Sequence, residues 1–262
     1  MQLSYGDNRA LSDSKKMLPG IDTLLTTEKN ELKKVAVEHR VSVNTVFDCG
    51  SRDAIDGIEL GKIFDAREVH FFECNPDSAI ICRKNIANEK SASFKMILNE
   101  VALGDRMGET SFFAIDPEKT VTPHPGGNVG ASSLFKASSA YKKERYVQRE
   151  IKVPMITLGN YLESHQVPNL IWMDLQGAEV MALNGFGSKL SQVDLIHIEV
   201  SFRPMYVGQA LFGDVHAFLS RDFELVHIEL GRWPKLLELY KLLRFGPWVS
   251  NAIYVNKGKL PP

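Results

Sequence analysis

Short, largely apolar segments that alternate with helix-like segments constrain the fold of this chain more than any other feature. Before the C-terminal run these segments are TVFDC (45–49), VHFFE (69–73), SFKMIL (93–98), LIWMDL (170–175), LIHIEV (195–200) and FELVHIEL (223–230). Helix-like segments lie between or after them, at about 54–64, 77–89, 177–190 and 211–221. Strands that are apolar along their whole length suit a parallel sheet with helices on both faces. The alternation therefore predicts a doubly wound α/β fold with a mostly parallel, Rossmann-like sheet.

The regions outside this alternation define the predicted domain organisation. Residues 1–40, with one or two predicted helices over 21–39, form an N-terminal helical extension to a main domain at 41–262. Between about 110 and 157 the alternation gives way to a Pro/Gly/Ser-rich segment with a predicted strand at each end. Compact domains rarely keep such a stretch unless it forms a lid or binding loop, so we interpret it as a lid-like insertion. Periodicity leaves the pairing of the last apolar run, NAIYVN at 251–256, undecided.

Composition and charge argue against several classes of protein. The 262 residues, 44% hydrophobic and 24% charged, fit one large domain with a full core. A net charge of −1 gives no electrostatic reason to expect a partner such as nucleic acid or an anionic membrane. The three cysteines are odd in number and lack metal-ligand spacing, so we expect reduced thiols. Because the chain shows no secretory signal and no apolar run of about 18 residues, we expect a cytoplasmic protein without a membrane span.

The carboxyl ends of the first two predicted strands carry candidate binding residues, because ligands of open parallel sheets bind there. Gly50 permits a tight turn and close approach of a ligand to the backbone, although Asp48-x-Gly50 also fits an ordinary strand-to-helix turn. Glu73 stands where a carboxylate can accept both ribose hydroxyls of a nucleoside. Alternatively, Glu73 helps to start the next helix, in which Pro76 suits the first turn. Their neighbours at the same strand ends complete this set of candidates: Ser51, Cys74 and Asn75.

Two later strands also end in carboxylates. Asp174 follows a strand with almost no other polar residue, and we interpret it as a site residue, with helix capping as the alternative. Glu199 either faces the pocket or turns away from it. His197 lies deeper in the same strand and is more typical of a core histidine than of a base. Converging carboxylates suit a positively charged ligand or a metal ion. Since no His or Cys stands at ligand spacing, we expect no required metal.

Seven segments carry a resemblance to a known family. They are VFDCGS, HFFECNP, NEVALGD, VPMITLGNYL, IWMDLQGAEVMALNG, IHIEV and NAIYVN, in this order from about Thr45 to Asn256. Together they resemble the FkbM family of S-adenosylmethionine-dependent methyltransferases. The most specific piece is DLQGAEVMALNG, which matches the family's Asp-x-Glu-Gly-Ala-Glu segment nearly throughout. The resemblance implies a class I methyltransferase sheet of seven strands, with the last strand antiparallel.

The resemblance also implies roles for individual residues. Asp48 and Gly50 would border the methionine end of the cofactor S-adenosylmethionine, and Glu73 would hold its ribose. The pair Val101–Ala102 would lie near the adenine, and Asp174 would face the methyl donor. Members of the family are associated with O-methylation of hydroxyls, often on sugars or natural products. The expected partner is therefore a hydroxylated small molecule or a glycan.

Two parts of the sequence depart from the family pattern. The family's first loop usually reads Asp-x-Gly-Ala-Asn-x-Gly, whereas Ser51, Arg52 and Ala54 occupy the Ala, Asn and second Gly positions here. The loop is therefore free to follow a different path, with Gly57 as a further flexible point. Gln176 stands where the family commonly has Glu, so this position cannot act as a carboxylate base.

O-Methylation needs an aligned acceptor and a group that takes the hydroxyl proton. The candidate bases are Asp174 first, then Glu199 and His124. His124 lies in the loop at 116–133, which is either a closing lid or an ordinary exposed loop. The basic and aromatic stretch at 141–146 either contacts an anionic or glycan acceptor or forms the solvated face of a helix.

Other functions compete with this interpretation. A nicotinamide-dependent oxidoreductase would also use Glu73, but the first turn, DCGSRDAIDG, lacks the Gly-x-Gly-x-x-Gly that brings backbone close to a pyrophosphate. An amine or nucleic-acid methyltransferase is disfavoured because the sequence has no Asn-Pro-Pro-Tyr-like motif. A catalytically silent nucleoside-binding module remains open, given the altered first loop and Gln176.

Overall fold

A computed structural model of the protein describes residues 21–229 and 248–260. Within these ranges the helices and strands are α1 (Ile21–Glu38), β1 (Thr45–Cys49), α2 (Ile55–Phe64), β2 (Glu68–Phe72), α3 (Pro76–Asn88), β3 (Lys95–Asn99), β4 (Ala102–Leu103), β5 (Gly108–Ile115), β6 (Gln148–Ile156), α4 (Leu158–Tyr161), β7 (Leu170–Met173), α5 (Glu179–Asn184), β8 (Leu195–Ser201), α6 (Phe212–Leu219), β9 (Phe223–Ile228) and β10 (Val249–Asn256). Short 3₁₀ segments cover Pro125–Ala131, Gly187–Gln192 and Lys257–Lys259. The last residue of the predicted strand at 223–230 lies outside the described residues.

Seven of the described strands form one sheet in the order β3-β2-β1-β7-β8-β10-β9. Its pairs are parallel except for those of β10, which runs antiparallel to both β8 and β9. The run NAIYVN at 251–256 is thus an antiparallel partner of the strand before it in sequence. The structure confirms the predicted doubly wound sheet with an antiparallel last strand. Strand order reverses between β1 and β7, where Cys49 is in register with Met173.

Cores on both faces of this sheet explain why its strands are apolar along their whole length. In β1, Phe47 and Cys49 belong to the core on one face, and Val46 belongs to the core on the other. All five residues of β1 and all four of β7 are buried. Helix α1 contributes Leu32 and Val35 to the second core. The residues after β1 and β7 therefore stand at the edge of a rigid layer that fixes their positions.

A buried lysine fixes helix α1 against helix α2. Lys29 is 2% exposed, and its Nζ lies 2.6 Å from Asp56 Oδ1 and also contacts the carboxylate of Glu59. The same ammonium lies 5.8 Å from the centre of the Trp172 ring. A buried ammonium is stable only when it is paired, so these contacts select one docking position for α1. Residues 1–20 of the predicted extension at 1–40 lie outside the described residues, and its boundary remains a prediction.

Strands β5 and β6, at the two ends of the predicted insertion at about 110–157, form a second sheet with β4 in the order β4-β6-β5. Strands β5 and β6 pair antiparallel from Gly108 opposite Met155 to Ile115 opposite Gln148. Residues 141–146 do not form a helix, so the helix-face alternative for this stretch is wrong. They contain a turn and a bridge between Val121 and Arg145, because the segment pairs with the chain on the other side of the insertion.

Two further expectations concern the cysteines and a membrane span. Cys49, Cys74 and Cys82 are free thiols. None of the helices within residues 21–229 and 248–260 combines the length and the apolar composition that a membrane crossing requires.

We predict that replacing Lys29 by Met lowers the free energy of unfolding by about 2 kcal/mol. Breaking a fully buried pair costs about 3–5 kcal/mol, and this value is smaller because Asp56 and Glu59 are 27% and 51% exposed. Urea unfolding measures the loss. The control is Lys34→Met on the same helix, whose side chain is 60% exposed. Equal effects of the two substitutions would contradict the proposed anchoring role.

Candidate active site

A cavity of ≈ 330 Å³ lies at the switch point of the sheet, beside the carboxyl ends of β1 and β7. The insertion between β5 and β6 contributes one side of it, from His124 to Tyr146. The sequence-predicted residues that line the cavity are Gly50, Glu73, Cys74, Asn75, Val101, Ala102, His124, Asp174 and Glu199. The structure thus brings most of the cofactor candidates and all three base candidates to one cavity.

Asp48 and Ser51 lie behind the cavity wall. Ser51 Oγ donates to the carbonyl of Asp48 at 2.8 Å and accepts from the N–H of Phe72 at 3.1 Å. Burial raises the pKa of Asp48 well above its usual range, and its Oδ2 has no hydrogen-bond partner. These residues support the loop that borders the cavity, and their direct contact with a cofactor stays a prediction.

The first loop passes so close to β7 that it requires glycine. Gly50 has φ +90°, and a Cβ at this position would lie 1.8 Å from the carbonyl oxygen of Asp174. Further along the loop, Ala54 stands where the family commonly has glycine. It nevertheless adopts the left-handed conformation, with φ +67°. The left-handed conformation costs about 1–2 kcal/mol for an L-residue. The altered loop therefore keeps a path that glycine would favour, at some cost in stability.

Glu73 takes part in the start of α3, one of the two roles that the sequence left open, and its ribose role stays a prediction. Its Oε1 accepts from the N–H of Asn75 at 2.7 Å, and Asn75 in turn caps α3 by accepting from the N–H of Asp77 at 3.1 Å. Its Oε2 accepts from the N–H of Arg52 at 2.8 Å. Burial raises the pKa of Glu73, and these backbone donors oppose the shift. Glu73 therefore helps to start a helix and also borders the cavity.

One part of the cavity wall is apolar. Val101 lines it together with Ala102 and Leu103 of β4, Phe112 of β5 and Leu134 of the insertion. Cys74 and Leu134 pack against the same small core of the second sheet. This surface suits a flat, uncharged ring, and the neighbouring Glu73 suits the hydroxyls of an attached sugar.

Asp174 and Glu199 converge on a single side-chain amide. Gln176 Nε2 donates to Asp174 Oδ1 at 2.6 Å and to Glu199 Oε2 at 3.1 Å. Gln176 Oε1 accepts from the hydroxyl of Tyr206 at 2.7 Å. Burial raises the pKa of both carboxyl groups, and repulsion from Asp174 adds to the shift at Glu199. The sequence marked Gln176 only as a departure from a family pattern, whereas the structure shows it as a donor to both acids.

The turn after Asp174 depends on another buried acid. Glu179 Oε1 accepts from the N–H groups of Leu175 and Gly177 at 3.0 and 3.1 Å. Its side chain is 4% exposed and does not line the cavity. Burial raises the pKa of Glu179 to about 7, and the backbone donors oppose the shift. Glu179 therefore acts on the site through the backbone of this turn.

His124 has a carboxylate partner within the insertion. Its Nε2 lies 3.6 Å from Oε1 of Glu144, whose side chain is only 5% exposed. Glu144 Oε2 accepts from Thr122 Oγ1 at 2.6 Å and from Asn128 Nδ2 at 2.9 Å. These bonds fix Glu144, so His124 is not an isolated loop residue, although it is 56% exposed.

Tyr141 and Trp248 form an aromatic wall of the cavity. The sequence indicated only Tyr141, as part of the stretch at 141–146. The centres of these two rings lie 5.0 Å apart at an angle of 61°. The guanidinium carbon of Arg203 lies 5.3 Å from the centre of the Trp248 ring. No local pattern marks Trp248, because it meets Tyr141 only in the folded chain.

The charge of the cavity lining is predominantly negative. The carboxylates that line it are Asp56, Glu73, Glu144, Asp174 and Glu199, with the guanidinium of Arg52 among them. Within the described ranges, no group of three or more His, Cys, Asp or Glu is arranged to hold a metal ion. The expectation that no metal is required stays a prediction. The lining is suited to an organic ligand that carries positive charge.

The strand order, with the antiparallel strand β10 beside the edge strand β9, is that of the class I methyltransferase fold, and the cavity lies at its switch point. A family model described as the methyltransferase FkbM domain matches residues 48–225. The chain therefore belongs to the FkbM family of methyltransferases. Among curated proteins it is similar to 2-O-methyltransferase NoeI of Sinorhizobium fredii (strain NBRC 101917 / NGR234), with 26% identity over 210 residues. The match covers 76% of this chain and 78% of NoeI.

Solved structures of methyltransferases are also similar to the chain. Methyltransferase FkbM from Methylobacillus flagellatus KT matches with a TM-score of 0.48 and 13% identity. That match covers 82% of this chain but 43% of the other, so this chain spans less than half of its length. Magnesium protoporphyrin IX methyltransferase (ChlM) from Synechocystis PCC 6803, solved with bound SAM, matches with a TM-score of 0.48 and 10% identity. It is covered to 88%, and this chain to 97%.

We predict that Glu179 makes the protein less stable as the pH rises from about 4.5 to about 7, the interval between its ordinary and folded-state pKa. In this interval the unfolded chain loses the proton while the folded chain keeps it, so the free energy of unfolding falls. Over the whole interval the loss is about 3 kcal/mol for this group.

Glu179→Gln removes this contribution and keeps an oxygen for the two backbone donors. Urea unfolding at pH 4 and pH 8 should therefore show a smaller loss in the variant than in the wild type. The control is Glu163→Gln, at an exposed position. The same pH dependence in wild type and Glu179→Gln would show that Glu179 is not responsible.

Proposed function

We propose that the protein is an S-adenosylmethionine-dependent O-methyltransferase that acts on a hydroxyl group of a sugar, a glycan or a small natural product. The observation that carries this proposal is one cavity that joins three surfaces. Glu73 and the apolar surface beside it suit a nucleoside, and the buried acids suit a positively charged group. The aromatic surface of Tyr141 and Trp248 suits a second molecule, the methyl acceptor.

The lining residues fit S-adenosylmethionine in both shape and charge. Glu73 would hold the ribose hydroxyls, and Val101 and Ala102 would contact the adenine. Gly50 lines the cavity, and its backbone would lie beside the methionine end of the cofactor. When bound, S-adenosylmethionine supplies a methyl group that is activated by its bond to positively charged sulfur. The sulfonium and the ammonium of this molecule match the excess of carboxylates in the lining.

The remaining work of the reaction falls to residues of the chain. Asp174 is our first candidate to accept the proton of the acceptor hydroxyl, ahead of Glu199 and His124. A general base typically adds about 10²–10⁴-fold to the rate. The insertion would exclude water and align the acceptor. In well-oriented reactions, alignment contributes more to the rate acceleration than a general base does. Oxygen as the methylated atom is supported by NoeI, whose name describes a 2-O-methyltransferase.

Two alternatives predict different binding behaviour. A catalytically silent module would bind S-adenosylmethionine and methylate no hydroxylated acceptor. A nicotinamide-dependent oxidoreductase would prefer NAD, but the first loop lacks the glycine pattern that a pyrophosphate requires. The buried acids also disfavour NAD, since its pyrophosphate is negatively charged.

We predict that the purified protein binds S-adenosylmethionine in the micromolar range and that Glu73→Gln weakens this binding about tenfold. The amide keeps one oxygen for backbone donors but loses the charged acceptor for ribose, and a hydrogen bond to a charged group is worth about 1.5–3 kcal/mol. Calorimetry measures both values. NAD is the ligand control, and Glu118→Gln, at an exposed position of the insertion, is the variant control. Absence of binding, or a preference for NAD, would contradict the assignment of the cofactor.

We predict that Tyr141→Ala raises the KM for the acceptor about tenfold and leaves the KM for S-adenosylmethionine within about twofold. The substitution removes an aromatic ring that would contact the acceptor and leaves the residues that would contact S-adenosylmethionine unchanged. A screen of glycosides and phenols for production of S-adenosylhomocysteine first identifies an acceptor. Lys142→Ala is the control, because this neighbour is exposed and does not line the cavity. A rise in the KM for S-adenosylmethionine alone would place Tyr141 on the cofactor side instead.

A further inference from the structure

We infer that Gln176 is a positioning residue that binds Asp174 and Glu199 into one pair, which carries a single negative charge and takes up one proton as a unit. This inference deepens the proposed function and rests on it for its catalytic meaning. On uptake of the proton the charge of the pair changes from −1 to 0. Gln176 itself takes up no proton, because an amide has no basic site in this range.

The hydrogen bonds fix the orientation of the Gln176 amide. Its two N–H groups have two acceptors, Asp174 Oδ1 at 2.6 Å and Glu199 Oε2 at 3.1 Å. Its oxygen accepts from the hydroxyl of Tyr206, a side chain that is 2% exposed. The reverse orientation would turn the amide oxygen toward two carboxylates and the N–H groups toward Tyr206. The amide therefore acts as a double donor between the two acids.

The backbone at Gln176 is held in a conformation that few residues with side chains adopt. Its φ is +52°, in the left-handed region, where a residue other than glycine is strained. Ser133 Oγ of the insertion holds this turn by donating to the carbonyl of Gln176 at 2.7 Å. A strained conformation that is held by neighbouring residues is typical of functional sites. Here it aims the amide at both acids and ties it to the insertion.

The surroundings of the pair explain why an amide, and not a third carboxylate, stands between the acids. Burial is the main cause that raises the pKa of both acids, so two adjacent negative charges are disfavoured. Arg52 opposes the shift at Asp174, and Asp56 adds to it. The charged or titratable groups that face the pair are Glu28 of α1, Arg52 of the first loop, Asp56 of α2, Glu179 of α5 and Tyr206 after β8. A Glu at position 176 would add a negative charge and remove a donor.

The test that needs neither cofactor nor acceptor is an NMR titration of ¹³C-labelled Asp and Glu carboxyl groups in the full chain. We expect one group of the wild-type pair to stay protonated well above the ordinary range for carboxyls. Gln176→Glu should move the titration of Asp174 to higher pH, because it replaces a donor by another acid. Tyr206→Phe should cause a smaller shift in the same direction, because it releases the orientation of the amide without adding charge.

The matched control is Gln166→Glu, which makes the same charge change at an exposed position in the segment before β7. It should leave the titration of the pair unchanged. A variant that unfolds at lower temperature but titrates as the wild type does would show a purely structural role for Gln176. That result, or full ionisation of both wild-type acids in the ordinary range, would overturn the inference.

Activity separates this inference from the proposed function. With an acceptor from the screen, Gln176→Glu should lower kcat about tenfold, move the acidic limb of the kcat profile to higher pH and leave the KM for S-adenosylmethionine within about twofold. If the NMR shifts occur but no acceptor is methylated, the pair is supported and the O-methyltransferase proposal fails. If methylation occurs with an unshifted profile and unshifted titration, only the inference about Gln176 fails.

Discussion

The close approach of two strand ends is the constraint on which the rest of the site depends. Gly50 lies so near the carbonyl of Asp174 that no side chain fits between them, and the N–H of Asp174 donates to the carbonyl of Cys49 at 2.9 Å. Because β1 and β7 are neighbours at the point where strand order reverses, this contact brings two separate loops to one cavity. Asp174 stands at this contact, and the turn that follows it carries Gln176, the donor to both Asp174 and Glu199.

The converging acids oppose folding, and the structure offsets their burial with donors. Glu73 accepts from two backbone N–H groups, and Glu179 accepts from two others. Asp174 and Glu199 share the amide of Gln176. These donors are neutral, so the cavity keeps its negative charge. A ligand with positive charge would relieve the remaining repulsion, so binding and stability are linked through the same carboxylates.

The parts that the sequence predicted are those that follow from local patterns and one rule of topology. Apolar strands indicated a covered parallel sheet, and its strand ends indicated Gly50, Glu73 and Asp174 as neighbours. The contact of Tyr141 with Trp248 could not be predicted, because the two residues are far apart in sequence and share no pattern. The segment at 141–146 has the composition of a helix face, yet its pairing with Val121 and the bonds of Glu144 override that propensity. The donor role of Gln176 depends on its left-handed backbone conformation, which cannot be predicted from the residue type.

Two of the departures from the family pattern act on the same carboxyl group, that of Asp174. Arg52 stands where the family commonly has a neutral Asn, and Gln176 stands where it commonly has Glu. The first change adds a positive charge and the second removes a negative one, and both surround Asp174. The two changes therefore favour the ionised form of Asp174, against the burial that disfavours it. Two loops that depart from the pattern independently in sequence thus have one physical effect in the folded chain: they favour the ionised form of Asp174, the form that our proposed base requires.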